Sequence, residues 1–195
     1  MGKVIVANHL TLDGVMQSPA RPDEDTRGGF THGGWATAGN DPEMARVMGE
    51  GMAPVGGFLF GRRTYEDFYA VWGNRTDNPF SEAFNSHPKY VVSTTLQEPL
   101  VWQNSSLLTG DAAETVAHLK ERIEKNLVIF GSGELIQALM RANLIDRYIL
   151  MIHPLVLGTG RRLFTDGGAF TRLRLASAVP TATSVMIATY ERAEG

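Results

Sequence analysis

The chain has 195 residues, of which 43% are hydrophobic and 20% are charged, and its formal net charge is −3. These values are ordinary for one soluble globular domain, and the charge gives no electrostatic reason to expect binding to nucleic acid or an anionic membrane. The absence of cysteine excludes disulfides, zinc–thiolate sites and thiol nucleophiles. No targeting segment or apolar run of roughly 20 residues is visible, so residues 1–195 are expected to form a single cytoplasmic domain.

Short apolar runs alternate with helix-like segments along most of the chain. Most of these runs are unbroken rather than alternating, which is typical of strands covered on both faces. Strands are predicted at residues 4–7, 58–60, 90–92, 127–130 and 148–152. Helices are predicted at residues 41–48, 64–69 and 111–125, with Asp41 and Asp111 as N-caps.

The end of the chain has a different pattern. After Tyr148 only strand-like pieces follow, notably residues 173–176 and 185–190, which indicates antiparallel strands at the edge of a mostly parallel sheet. The sequence therefore predicts an α/β fold with a mixed, mostly parallel central sheet flanked by helices. Residues 18–34 form one long polar, glycine-rich segment, which we expect to be a functional or mobile loop.

Three of the predicted strands run directly into polar turn residues. In an open α/β sheet, ligands bind beyond the carboxyl ends of the strands. A guanidinium, hydroxyl groups and two helix starts at that edge would suit several phosphates, as in NADP. The residues concerned are Gly61, Arg62 and Thr64 after the second strand, Ser93 and Thr94 after the third, and Gly131, Ser132 and Gly133 after the fourth.

Each of these residues also has a purely structural interpretation. The glycines suit a tight strand-to-helix turn, Arg62 and Arg63 could be a solvated pair, and a Ser-Thr-Thr run often forms a turn. The dinucleotide-binding, P-loop and serine-hydrolase fingerprints are absent. The five histidines show no metal-ligand spacing, so no metal site is expected, and each histidine is interpreted as structural or exposed.

Taken in order, five motifs resemble the dihydrofolate-reductase-like reductases that include the C-terminal reductase domain of riboflavin-biosynthesis enzymes. They are "TLDGV" at 11–15, "GRRTYEDF" at 61–68, "PKYVVSTTL" at 88–96, "VIFGSGELIQAL" at 128–139 and "LIDRYILMIHPLVLGTGRRLF" at 144–164. The resemblance covers nearly the whole chain. It implies a dihydrofolate-reductase-like three-layer fold and an NADPH-dependent reductase, which acts on a small pyrimidine- or pterin-like heterocycle and forms a homodimer.

The resemblance also assigns cofactor-binding residues. It places the pyrophosphate at Gly131, Ser132, Gly133, Glu134 and Leu135, and the adenosine end with its 2′-phosphate at Gly61, Arg62, Thr64, Ser93 and Thr94. Ala7 and Asn8, at the end of the first strand, are expected near the nicotinamide.

For the reacting heterocycle, Asp13 is the catalytic candidate, because a carboxylate could orient a ring amide or relay a proton. Asp13-Gly14 is equally a common turn pair. Trp35 and Asp41 are the substrate candidates, although Asp41 also fits a helix cap. True dihydrofolate reductases carry a helix acid where this chain has Asn40. The alternatives to the reductase are therefore a weak dihydrofolate reductase and a non-catalytic NADPH or nucleotide sensor.

Overall fold

The computed structural model of the protein describes residues 2–77 and 79–193. The strands are β1 Val4–Thr11, β2 Val55–Gly61, β3 Lys89–Val92, β4 Ser105–Leu108, β5 Asn126–Ile129, β6 Arg147–His153, β7 Leu173–Pro180 and β8 Met186–Arg192. The α-helices are α1 Pro42–Met52, α2 Arg62–Trp72, α3 Pro79–Ser86, α4 Ala112–Arg122 and α5 Gly133–Arg141. None of the described helices is long and apolar enough to cross a membrane.

The strands are hydrogen bonded in the order β4-β3-β2-β5-β1-β6-β8-β7. Strand β2 runs parallel to both β3 and β5, and β3 runs parallel to β4. Strand β8 is antiparallel to both β6 and β7. The predicted α/β class, with a mixed sheet and antiparallel C-terminal strands, is confirmed.

The structure differs from the predicted elements at three places. Strand β4 and helix α3 were not predicted, because "SSLL" and "PFSEAFNS" are short and rich in polar residues. The helix predicted to reach residue 125 ends at Arg122, and Ile123 is already extended, with φ −108° and ψ 126°. Ile123 is therefore the C-cap residue and lies outside the helix.

The chain divides into two compact units. Unit 1 comprises Met1–Ile5 and Met52–Ile145, and unit 2 comprises Val6–Gly51 and Asp146–Gly195. In unit 1, aromatic rings from β2, α2 and α3 pack into one cluster with rings from the β3–β4 loop and from the residue after β5. The cluster is formed by Phe58, Phe60, Phe68, Phe84, Trp102 and Phe130. Burial of these large rings supplies much of the apolar contribution to the stability of unit 1.

A buried lysine closes the C-terminal end of α3 in unit 1. The Lys89 side chain donates from Nζ to the carbonyl oxygens of Phe84, at 2.7 Å, and His87, at 3.0 Å. These carbonyls lie at a helix end, where no intrahelical donor is available to them. Burial lowers the pKa of Lys89 to about 8, so the amine remains mostly protonated near neutral pH.

In unit 2, the long polar segment that was predicted to be a loop is organised by two buried side chains. Gln17 donates from Nε2 to the carbonyl oxygens of Asp25, at 3.1 Å, and Arg27, at 2.9 Å. Ser18 donates to the carbonyl oxygen of Arg21 at 2.7 Å. The indole of Trp35 in turn donates to the Gln17 carbonyl at 2.8 Å. The segment is therefore a loop held by its own side chains.

Candidate functional site

Two polar turns of unit 1 are joined to each other at the ends of neighbouring parallel strands. Gly61 is the last residue of β2, and its N–H donates to the hydroxyl oxygen of Ser132 at 3.0 Å. The N–H of Ser132 donates to the hydroxyl oxygen of Thr64 at 3.0 Å. Because each turn supplies one donor and one acceptor, the turn after β2 and the turn after β5 fix each other's position.

The turn after β5 consists of two residues in the left-handed region, Gly131 with φ +54° and Ser132 with φ +53°. At Gly131 a Cβ atom would come within 3.2 Å of the Thr64 side chain, so both the conformation and the space favour glycine. Helix α5 then begins at once, and its first backbone bond runs from Ile136 N–H to the Ser132 carbonyl at 3.0 Å. The N–H groups of Gly133 and Leu135 precede this bond and lie at the positive end of the helix dipole, where an anion is favoured.

Two ion pairs, each of one arginine and one glutamate, involve residues at or next to this pair of turns. Arg62 begins α2, leaves 39% of its side chain exposed, and lies 3.4 Å from Glu66 one turn further along. Arg63 lies 3.7 Å from Glu134, whose side chain is 75% exposed. Both arginines are therefore on the surface, where only weak ion pairs compete with a bound anion.

At the end of β3, Ser93 stabilises the turn that follows the strand. The Ser93 hydroxyl oxygen accepts hydrogen bonds from the N–H groups of Thr95 and Leu96, both at 3.1 Å. Ser93 is only 8% exposed, whereas Thr94 is exposed. Ser93 thus stabilises the turn, which is the structural interpretation that the sequence left open, and Thr94 is the more accessible hydroxyl.

In unit 2, the Asp13 carboxylate ties two loops together. It accepts hydrogen bonds from the Thr11 hydroxyl at 2.6 Å, the Leu157 N–H at 3.2 Å and the Gly158 N–H at 2.9 Å. Arg162 lies 3.4 Å from the same carboxylate. The Thr11 hydrogen bond, followed by the two backbone donors, holds the pKa of Asp13 well below its usual range. Asp13 is therefore ionised at neutral pH, as its turn role requires, and has no proton to donate.

Asp41 and Trp35 also make defined contacts within unit 2. Asp41 accepts from the Glu43 N–H at 2.8 Å, as expected of a helix cap, and from the Ala182 N–H at 3.0 Å. The Trp35 ring stands edge-on to the His153 ring, with 5.3 Å between the ring centroids. Ala7 and Asn8, on β1, are both buried. The Trp35 ring is thus in contact with a titratable side chain, His153.

His153 belongs to a histidine pair that sequence reasoning did not identify as functional. Nδ1 of His9, on β1, lies 2.9 Å from Nε2 of His153, the last residue of β6. Burial, followed by the charge of His153, lowers the pKa of His9 to about 4, and burial lowers the pKa of His153. The two histidines are separated by 144 positions in the sequence, so the only available signal was a histidine on each of two apolar strands.

Within residues 2–77 and 79–193, no cluster of three or more histidine, aspartate or glutamate side chains is arranged to hold a metal ion. The candidate groups of the structure are thus the joined turns of unit 1 and the imidazole pair of unit 2.

The family model of the RibD C-terminal domain matches residues 2–187. Among relatives in sequence, YyaP of Bacillus subtilis strain 168 is 28% identical over 134 residues, which are 65% of this chain and 67% of YyaP. YwjB of the same strain is 33% identical over 73 residues, which are 37% of this chain and 42% of YwjB. Both relatives are described as uncharacterized.

Solved structures share the fold over nearly the whole chain. A riboflavin-biosynthesis-like protein from Shewanella sp. PV-4 has a TM-score of 0.75 and 24% identity, and covers 98% of this chain and 99% of its own. A pyrimidine reductase-like protein from Corynebacterium diphtheriae has a TM-score of 0.67 and 10% identity, with 100% and 93% coverage. Dihydrofolate reductase from Enterococcus faecalis, complexed with NADP(H), has a TM-score of 0.62 and 14% identity, with 99% and 98% coverage. At these identities the likeness shows the fold alone.

Proposed function

The chain belongs to the RibD C-terminal domain family, and from that premise we propose that it is an NADPH-dependent reductase of a small pyrimidine- or pterin-like heterocycle. The reaction would be similar to that of 5-amino-6-(5-phosphoribosylamino)uracil reductase. Bound NADPH would supply the hydride, and the chain would bind the cofactor, orient the heterocycle and exclude water.

The joined turns of unit 1 carry this proposal. Gly131 and Ser132 adopt left-handed conformations, the Ser132 and Thr64 hydroxyls are held in place, and α5 starts without an intervening loop. A turn of this kind presents main-chain N–H groups to a pyrophosphate without first having to reorganise. Arg62 and Thr94 are exposed at the neighbouring strand ends and would contact the 2′-phosphate.

One observation favours a second candidate, a protein that binds NADPH or a nucleotide without turnover. Both carboxylates proposed for the reacting heterocycle, Asp13 and Asp41, are already bonded to main-chain N–H groups. A reductase that relied on a free carboxylate for its proton would lack one here. The reductase remains the better supported function, since the family and its relatives of known fold include reductases.

Two measurements distinguish these functions. Calorimetric titration with NADPH and NADH should show binding of both, with NADPH tighter. Stopped-flow absorbance at the reduced-nicotinamide band should then show oxidation of NADPH with a panel that contains 5-amino-6-(5-phosphoribosylamino)uracil, dihydropterins and 7,8-dihydrofolate. Tight NADPH binding with no oxidation by any of these compounds would support the sensor. No NADPH binding at all would reject the reductase and the NADPH sensor, and would leave only a sensor of another nucleotide.

We also propose that the protein is a homodimer. Strand β7 is the last strand in the sheet order and is largely exposed, with Leu175 51% exposed. An open edge strand with uncovered apolar side chains is a common surface for self-association. Sedimentation equilibrium should give about twice the chain mass of 21.3 kDa, and a mass of 21.3 kDa across the micromolar range would rule out the dimer.

A further inference from the structure

The His9–His153 pair of unit 2 is a buried titratable group to which the proposed function gives no task. His9 lies on β1 and is half-buried, whereas His153 is 1% exposed. The two rings are 2.9 Å apart at Nδ1 and Nε2, and their centroids are 5.1 Å apart. Among the residues that the structure describes, neither ring has another hydrogen-bond partner, so each retains one nitrogen for a ligand or for solvent.

The surroundings of His153 indicate which ring donates. A Cβ atom placed on Gly39 would lie 2.6 Å from His153 Nδ1, so this nitrogen faces the main chain of Gly39 at close range. If His9 donated to His153, the His153 proton would have to be on Nδ1, where it would be a buried N–H without an acceptor. Buried N–H groups without partners are rare and costly. His153 therefore donates from Nε2 to His9 Nδ1, and the proton of His9 resides on Nε2.

This tautomer makes His9 a neutral hydrogen-bond donor, and its partner His153 packs against Trp35. Trp35 contacts His153 edge-on, and its own indole N–H is used by the Gln17 carbonyl. The carboxylates of Asp13 and Asp41 are bonded to main-chain donors. Among the described residues, His153 is the titratable group whose charge lowers the pKa of His9. His9 Nε2 is thus the polar donor that these residues of unit 2 leave for a ligand.

We propose that His9 Nε2–H donates a hydrogen bond to the heteroatom of the substrate bond that is reduced, and that His153 is the positioning residue that fixes this tautomer. The inference rests on the proposed reductase function and deepens it by naming the substrate class. The substrate presents an uncharged C=N or C=O bond. Bound NADPH would supply the hydride for the new C–H bond; the π electrons would then move to nitrogen or oxygen, and that atom would take its proton from water while His9 donates a hydrogen bond to it.

A neutral imidazole is well suited to this task. Its low pKa keeps it uncharged throughout the physiological range, so it can polarise a carbonyl or imine without titrating during turnover. Burial strengthens the hydrogen bond as negative charge develops on the heteroatom. A substrate that presents a cation at this position would gain nothing from a donor, which favours an uncharged carbonyl or imine.

Two amide substitutions separate the roles of the two nitrogens. His9→Asn places a polar atom near the position of Nδ1 and keeps the contact with His153, but it removes the outer donor. His9→Gln places an N–H near the position of Nε2 and keeps the outer donor. With 5-amino-6-(5-phosphoribosylamino)uracil as probe, His9→Asn should lower kcat about 100-fold, and His9→Gln should lower it by less than about tenfold. NADPH affinity should be unchanged in both variants, and the control His118→Asn, on α4 in unit 1, should match wild type.

Nitrogen-15 NMR of the imidazoles tests the proposal independently of turnover. His9 should be the Nε2–H tautomer at pH 7, and its Nε2–H resonance should shift when the uracil probe is added. An Nδ1–H tautomer, an unmoved resonance, or equal kcat in His9→Asn and wild type would overturn the inference. If wild type binds NADPH but does not oxidise it with the probe, the proposed function fails, and the tautomer and the probe-induced shift still decide whether His9 is the donor.

Discussion

The candidate site of unit 1 is built mainly from main-chain groups, whereas that of unit 2 is built from side chains. In unit 1 the groups that would hold an anion are main-chain N–H groups and short hydroxyls, fixed by two turns that bond to each other. In unit 2 the corresponding groups are side chains on strands and loops, and the carboxylates are consumed by loop contacts while two imidazoles bond to each other. A site built from main-chain groups is altered only by substitutions that change the backbone conformation, and it then loses several groups together. A site built from side chains can be altered one group at a time. Substitutions in the two units should therefore differ in the size and selectivity of their effects.

The largest effect is expected at the left-handed turn of unit 1. Gly131→Val places a β-branched residue at φ +54° and within 3.2 Å of Thr64, so the turn cannot keep its shape. NADPH and NADH affinities should both fall by roughly 100-fold. This loss corresponds to about 3 kcal/mol of binding free energy, at about 1.4 kcal/mol for each factor of ten. Fluorescence titration measures both. The control Gly167→Val, at φ +70° with open space around it, should leave both affinities unchanged.

The imidazole pair makes stability depend on pH. His9 has a folded-state pKa of about 4 against an ordinary value of 6.5, so between these values the unfolded chain binds a proton that the folded chain does not. The contribution of His9 to the free energy of unfolding should therefore be complete above pH 6.5. The free energy of unfolding should fall by up to about 3 kcal/mol as the pH decreases toward 4. Urea denaturation at pH 7.5, 6 and 5 measures this slope, and His9→Asn should flatten it. A stability that is constant from pH 7.5 to 5 would contradict the burial of the pair.

A smaller and selective effect is expected at Arg62. Its side chain is 39% exposed and is paired with Glu66, so the 2′-phosphate must replace an existing weak partner. Arg62→Ala should weaken NADPH about 10- to 30-fold and leave NADH within about twofold. Arg63→Ala, which disturbs only the 3.7 Å pair with Glu134, is the matched control and should change neither cofactor. Equal losses for NADPH and NADH would place the 2′-phosphate elsewhere.

The smallest effect concerns Asp13. Asp13→Asn replaces an acceptor of four hydrogen bonds with an amide that must direct an N–H toward a donor, so the two loops should separate more easily. We expect a decrease of a few degrees in melting temperature with NADPH affinity unchanged. Asp166→Asn, at an exposed position of the same unit, should have no effect. If Asp13→Asn abolishes turnover without lowering the melting temperature, then Asp13 is a catalytic residue and not a loop anchor.

The sequence predicted the parts of the protein whose signals are local. The apolar runs that end in Gly61 and Gly131 gave the strands β2 and β5 and the start of α5, because strand length and glycine conformation depend on neighbouring residues. It did not predict α3, because the polar residues of this segment are typical of a loop. The helix depends on the packing of Phe84 into the aromatic cluster, which the local sequence does not indicate. The His9–His153 bond could not be predicted either, because it depends on which strands become neighbours.

The placement of the three tryptophans gives the protein two optical reporters. Trp35 lies in unit 2 with its ring edge against His153, whereas Trp72 and Trp102 lie in unit 1, where they pack against Phe84. A protonated imidazole quenches the emission of an adjacent indole, so acidification should dim Trp35 selectively. Reduced nicotinamide absorbs where indoles emit, so bound NADPH should quench tryptophan emission by energy transfer. A Trp35→Phe variant separates these two signals, which would allow protonation of the imidazole pair and cofactor occupancy to be followed in one cuvette.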